Sequence, residues 1–317
     1  MRILFISGKN KYGGRVYEKI AREMISRNFE VEIEEFVSKK DFFLKIWRVS
    51  RRKDVNLVIR NFDASLFLNP RPAKNIVIIH HIDWSFASFL IKSTFLFLAP
   101  IILRNLRKAD AIVVVSKYWQ DFFQKRGYQN IFLIYNAFDL KDFEITNEET
   151  EEFKEKYNLT NKPIIYLGNC QKAKGVLESY QALKDLDCHL VTSGEPFVKT
   201  PARNLEISHR QYLTLLKAST VVLTMSKFKE GWCRTAHEAM LVKTPVIGSG
   251  RGGMRELLEG GKQIICEDFD SLRERVEYLL NHPEVREKMG EDGYNFAKDF
   301  TLERFKKEWL ELINKLV

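Results

Sequence analysis

Two glutamates, Glu230 and Glu238, stand with seven residues between them in the stretch SKFKEGWCRTAHEAMLVKTPVIGSGRGGMREL (226–257). The apolar run TVVLTM (220–225) precedes them and reads as a buried strand. Glu230 and Gly231 then fall in a loop, and a helix around Thr235 to Leu241 carries Glu238. A helix that starts just after a strand aims its first N–H groups back at the strand end, where they suit an anion such as a diphosphate. A carboxylate at each end of that turn can accept hydrogen bonds from sugar hydroxyls. After a second strand, TPVIGS (244–249), the loop Gly-Arg-Gly-Gly (250–253) lets backbone come close to a ligand.

The elements that must position these residues recur along the whole chain. Short apolar runs occur at 2–7, 31–36, 55–60, 75–80, 111–116 and 131–135, and again at 163–168, 188–193, 204–208, 220–225, 244–249 and 262–266. Helical stretches separate them. Continuous apolar strands alternating with helices imply parallel sheets covered on both faces. The strand-poor stretch 144–162 reads as a linker followed by a helix, and 270–317 is helical in pattern. The expectation is α/β, with two doubly wound domains facing a central cleft: residues 1–145, and 146–302. Ligands in such sheets bind at the carboxyl ends of the strands.

Composition agrees with that outline. The 317 residues are about twice what one average domain needs, and 45% hydrophobic with 29% charged residues excludes a disordered or fibrous chain. Four cysteines at 170, 188, 233 and 266 form no CxxC pair, which argues against a disulfide scaffold or zinc ribbon and for a reducing compartment. The opening MRILFIS lacks a signal-peptide layout, so a cytoplasmic location is expected. Residues 1–150 hold 25 Lys and Arg against 17 Asp and Glu, whereas 151–317 hold 26 against 25. A basic first half suits an anionic partner, with a membrane surface or phosphate-bearing acceptor ahead of nucleic acid, for which no motif speaks. Residues 84–103, WSFASFLIKSTFLFLAPIIL, have spanning length. Lys92 in mid-run and Pro100 argue instead for packing inside the domain or for a face lying at a membrane interface.

The spacings around 226–257 resemble the donor-binding region of retaining glycosyltransferases of family 4, which have the GT-B fold. The matching residues are Glu230, Gly231, Glu238, Ala239, Pro245, Val246, Gly252, Gly253 and Glu256; Lys243-Thr244 replaces the usual glycine before Pro245. Upstream, YLGNCQKAKG (166–175) is similar to the family's phosphate-holding segment through Gly168, Lys174 and Gly175. Asn169 stands where that family has arginine, and an amide does not neutralise a diphosphate as a guanidinium does. Lys172, Arg234 and Arg251 are the cations available to compensate. In the first domain, the glycine-rich loop 8–14 with Gly13 and Gly14 and the pair His80-His81 occupy places where the family handles donor, sugar and acceptor. VSKYW (115–119) and NAFD (136–139) look like its interdomain elements, and the helix 303–317 is expected to pack back on the first domain.

The resemblance implies a nucleotide-sugar-dependent hexosyltransferase that retains anomeric configuration, needs no metal or other cofactor, and uses a UDP- or GDP-sugar with a glycan or lipid-linked acceptor. Such an enzyme would work in glycan biosynthesis, peripheral at the inner face of the membrane. The catalytic set would be Glu230, Lys174 and His80 or His81. The donor would be held by Gly13, Gly14, Gly168, Asn169, Lys172, Lys174, Glu230, Gly231, Trp232, Cys233, Arg234, Thr235, Glu238 and Arg251. Other chemistries fit poorly. His237-Glu238 is no zinc HExxH, because Leu241 takes the second histidine's place, and Cys233 has no partner suited to a nucleophile. Two competing functions stay open: a non-catalytic protein with an altered donor site, and a nucleotide-sugar epimerase on the same fold.

Overall fold

The computed structural model describes residues 1–8, 14–36, 39–69, 73–86 and 89–317. Each of the twelve apolar runs forms a strand. Contacts divide the chain into two units: Met1–Ala137 with Leu302–Val317, and Phe138–Thr301.

In the first unit, β1 (Arg2–Gly8), β2 (Glu30–Phe36), β3 (Leu57–Asn61), β4 (Lys74–Ile79), β5 (Ala111–Val114) and β6 (Ile131–Leu133) form one sheet. Its order is β2-β1-β3-β4-β5-β6 and all neighbours are parallel. The inner strands β3, β4 and β5 carry Val and Ile on both faces and are almost wholly buried, as parallel strands between helical layers must be. Helices α1 (Gly14–Ser26), α2 (Lys39–Val49), α3 (Phe89–Leu106) and α4 (Lys117–Gln124) connect them. Ile102 and Leu106 of α3 and Trp119 and Phe123 of α4 join Val77, Ile79, Ile112 and Val114 of the sheet in one apolar core.

The second unit repeats the plan. Strands β7 (Ile164–Asn169), β8 (His189–Ser193), β9 (Arg203–Leu205), β10 (Val221–Thr224), β11 (Val246–Gly248) and β12 (Ile264–Ile265) are ordered β12-β11-β10-β7-β8-β9, again all parallel. The strand order reverses beside β7 and β10, and that switch point is where doubly wound sheets hold ligands. Around the sheet lie α5 (Asn147–Lys156), α6 (Val176–Leu183), α7 (His209–Ala218), α8 (Arg234–Leu241), α9 (Met254–Gly260), α10 (Leu272–Asn281) and α11 (Pro283–Ala297).

The contact boundary at Ala137/Phe138 lies upstream of the composition shift near 145. The chain passes into the second unit where Phe138 N–H donates to the Phe300 carbonyl at 3.0 Å, and it leaves through Thr301, which bridges to Phe138. The last helix, α12 (Leu302–Leu316), then closes the first unit: Phe305 and Trp309 meet the Tyr17 ring edge-on at 5.0 and 6.4 Å. At the start of α5, Thr146 and Glu149 cap each other's backbone N–H groups. Thr146→Ala should cost about 1 kcal/mol of stability, read from the midpoint of urea unfolding. Among the described residues, no helix is long and apolar enough to cross a membrane.

Candidate active site

The carboxyl ends of β7, β10 and β11 bring together residues that are far apart in sequence. Strand β7 ends in Gly168, whose φ of +107° suits glycine, and then Asn169. A short 3-10 turn (Lys172–Lys174) follows and ends in Gly175 at φ +70°. A side chain at Gly175 would put its Cβ 2.5 Å from the Met225 carbonyl oxygen, so only glycine lets this turn lie against the end of β10. That close approach sets Lys174 beside Glu230, with Nζ 2.5 Å from Oε1. The Ser226 hydroxyl donates to the same oxygen at 2.5 Å.

Glu230 is also clamped by its backbone. Its N–H donates to the Arg251 carbonyl at 3.1 Å, and its own carbonyl accepts from the Gly253 N–H at 2.9 Å. Gly252 passes so close that a Cβ there would sit 2.5 Å from the Glu230 carbonyl oxygen. The Gly-Arg-Gly-Gly loop thus does approach a partner closely, and that partner is the glutamate's own backbone. Burial works against charge on Lys174, but Glu230 outweighs it and holds the ammonium's pKa above the ordinary lysine value. An ammonium has three donors, so with one on Glu230 two are left for another acceptor.

The second glutamate has different company. Glu238 on α8 is 5% exposed. The Arg234 guanidinium lies 3.1 Å from its Oε1, and the Tyr212 hydroxyl donates to its Oε2 at 3.0 Å. Tyr212 also reaches the Thr235 hydroxyl at 3.3 Å. Across a ring-to-ring distance of 6.1 Å stands Tyr166, whose hydroxyl donates to Asn169 Oδ1 at 2.8 Å and shares a 2.7 Å bond with Ser193. Burial raises both tyrosine pKa values, so both stay protonated donors. Asn169 therefore has a neutral partner. Of the possible compensating cations, Arg234 faces Glu238 and stacks over Phe138 at 4.2 Å. Arg251 is exposed and donates to the Lys227 carbonyl at 3.0 Å, and Lys172 is exposed.

The start of α8 is strained. Cys233 caps it at φ +70°, a left-handed conformation that non-glycine residues rarely adopt. Burial, with Glu230 close by, pushes its thiol up to about 12, which keeps it a thiol and unsuited to nucleophilic work. Trp232 turns inward: its indole N–H donates to His237 Nδ1 at 3.0 Å, and its ring packs against Phe300. Since that indole nitrogen can only donate, His237 carries its proton on Nε2 and donates to the Ala297 carbonyl at 3.1 Å.

In the first unit, His80 directly follows β4, with Nε2 3.5 Å from Glu18 Oε1 and its ring edge-on to Tyr17. Gly14 lies so near that a Cβ there would be 2.8 Å from the His80 ring. His81 sits 6.3 Å from Trp84, ring to ring. Gly13 lies outside the described residues. Sequence reasoning missed Ser226, Tyr166, Ser193 and Tyr212 as site side chains. Only Ser226 had a signal, as the serine that opens the matching stretch; Tyr212 sits on a helix with no motif at all.

Residues 147–296 match the family of glycosyl transferases group 1. The trehalose synthase of Pyrococcus horikoshii is 32% identical over 126 residues, 39% of this chain and 30% of that one. A glycosyltransferase of Methanocaldococcus jannaschii is 26% identical over 211 residues, 62% of this chain and 57% of its own. The matched stretches thus span well under two thirds of these relatives. Among solved structures, Anabaena Alr3699/HepE in complex with UDP-glucose superposes with a TM-score of 0.82 over 99% of this chain and all of its own, at 15% identity. At that identity the likeness establishes the fold, which is GT-B: two Rossmann-like α/β units.

Proposed function

We propose that this protein transfers a hexosyl group from a nucleotide-diphosphate sugar, UDP- or GDP-linked, to a glycan or lipid-linked acceptor, with retention of configuration and without a metal. The observation that carries the proposal is the enclosed Lys174–Glu230 pair at the strand switch point, within the stretch that matches glycosyl transferases group 1. The UDP-glucose complex of the similarly folded HepE supports a UDP-sugar as the first donor to try.

As the bond from the sugar to the diphosphate breaks, negative charge grows on the leaving phosphate. Lys174, already held in place by Glu230, turns its remaining donors to that phosphate, and the first N–H groups of α8 add a fixed positive end. Glu230 accepts from sugar hydroxyls and Glu238 from the ribose diol, while Arg234 at 3.1 Å orients Glu238. His80 or His81 and Gly14 are assigned to orienting sugar and acceptor. The four free cysteines favour a reducing, cytoplasmic setting, and the basic first half of the chain favours the inner face of the membrane.

The test is thermal unfolding of the purified chain with UDP, GDP, ADP, dTDP and their sugars. A donor at about 100 times its dissociation constant adds about 2.7 kcal/mol, a shift of a few degrees for a protein of this size. No shift with any of them sinks the proposal. A non-catalytic binder of nucleotide sugars is the second reading, favoured by the neutral Asn169–Tyr166 pair where a cation would be expected. It predicts the same thermal shift with no transfer to any acceptor.

A further inference from the structure

Helix α3 presents apolar side chains to water. Phe97 is 77% exposed, Leu96 74% and Ile101 49%, and the first two are the most exposed large hydrophobic residues among those described. The opposite side of the same helix, through Ile102 and Leu106, fills the core of the first unit, so α3 is anchored and its outer face is a surface of the folded protein. At 100° per residue, Lys92, Leu96, Phe97, Ile101 and Arg104 fall within one half of the helix circumference, and Lys108 follows two residues past the helix end. The apolar members occupy the middle turns and the cations lie at the two ends.

The surroundings are basic. Residues 89–126, which cover α3 and α4, contain seven Lys and Arg against two Asp, and one of those, Asp110, is paired with Lys74. Helix α2 adds Phe43, Leu44 and Trp47, each more than 40% exposed. Phe67 packs against the core beneath both α2 and α3, so the two helices cover the same side of the sheet.

We propose that this face docks on an anionic phospholipid surface, with Leu96, Phe97 and Ile101 entering the acyl boundary and Arg104 and Lys108 meeting headgroup phosphates. The pattern of charge selects this occupant. A second copy of the chain would bring an equally positive face against the first and be repelled. An apolar ridge with cations at both ends matches the layering of a bilayer, where long basic side chains reach headgroups while the apolar ones sink below them. The docking is independent of the donor chemistry.

The experiment is co-sedimentation of the full chain with phosphatidylcholine vesicles, and with vesicles that also contain phosphatidylglycerol. The unsubstituted protein is expected to pellet with the anionic vesicles only, and to be released by salt. Leu96→Ser with Phe97→Ser, and separately Arg104→Glu with Lys108→Glu, should each lower partitioning by about tenfold or more. Both variants should keep the unfolding transition and the donor-induced stabilisation of the parent, so failure of the donor proposal would leave this one standing. Absence of binding to anionic vesicles overturns it, as does equal binding by parent and both variants. A dimer in light scattering that Leu96→Ser with Phe97→Ser makes monomeric, without vesicle binding, would also overturn it by assigning the face to self-association.

Discussion

Lys174→Ala should lower sugar transfer by about 100- to 1000-fold, the loss typical of removing one preorganised donor to a developing anion. Glu230→Ala should fall in the same range. The two losses should not add, because Glu230 holds Lys174 in place at 2.5 Å and neither works alone. Their effects on stability should differ. The Glu230 side chain is 9% exposed and that of Lys174 27%. Without the lysine, a nearly buried carboxylate loses the cation that faces it at 2.5 Å. Without the glutamate, the longer lysine can swing toward solvent. Lys174→Ala should therefore be the more destabilising of the two, by about 1–3 kcal/mol in urea unfolding. Steady-state transfer measurements on both single variants and the double variant check this. Near-normal transfer by either single variant would remove the pair from the mechanism.

How much of this could be read from the sequence follows from the physics of each element. The strands were legible because parallel strands are buried on both faces and so read as unbroken Val and Ile runs, of which β5 and β10 are plain cases. The fold was legible for the same reason. The motif around Glu230 was legible because it is local: strand, turn and helix N-terminus are contiguous. The ion pair was not, since Lys174 and Glu230 are 56 residues apart, and only the glycine at 175 hints that two strand ends meet there. Tyr212 was invisible for a simpler cause. It lies 26 residues from Glu238, on an amphipathic helix whose pattern gives no sign of which side chain reaches the site. Asn169 could be read as a missing cation but not as the partner of Tyr166, because that bond depends on the bulge that shifts register between Tyr166 and Asn169. His237 had only a negative reading, as part of no zinc motif, and its packing proves to matter.

His237→Gln should flatten the acid limb of the stability curve. Burial lowers the imidazole's pKa from 6.5 to about 3, and its two nitrogens are already engaged with Trp232 and Ala297. In the unfolded chain the ring takes a proton below about pH 6.5, while in the folded protein it stays neutral down to about 3. Its contribution is therefore fully present above pH 6.5 and is lost as pH falls from there to about 3, at about 1.4 kcal/mol per pH unit. Glutamine can accept from the indole N–H and donate to the carbonyl, yet it does not titrate. Urea unfolding of both proteins at steps of pH between 7 and about 3 isolates the difference from the carboxylates they share. Identical acid slopes would sink the assignment. The consequence reaches the proposed donor site, because the Phe138 ring stacks on His237 at 4.1 Å and carries the Arg234 guanidinium at 4.2 Å on it. A charge on His237 would face that of Arg234 across one aromatic ring, and Arg234 is what pairs with Glu238. Keeping this histidine neutral thus preserves the arginine's hold on the second glutamate, and donor-induced stabilisation should weaken in acid earlier in the parent than in His237→Gln.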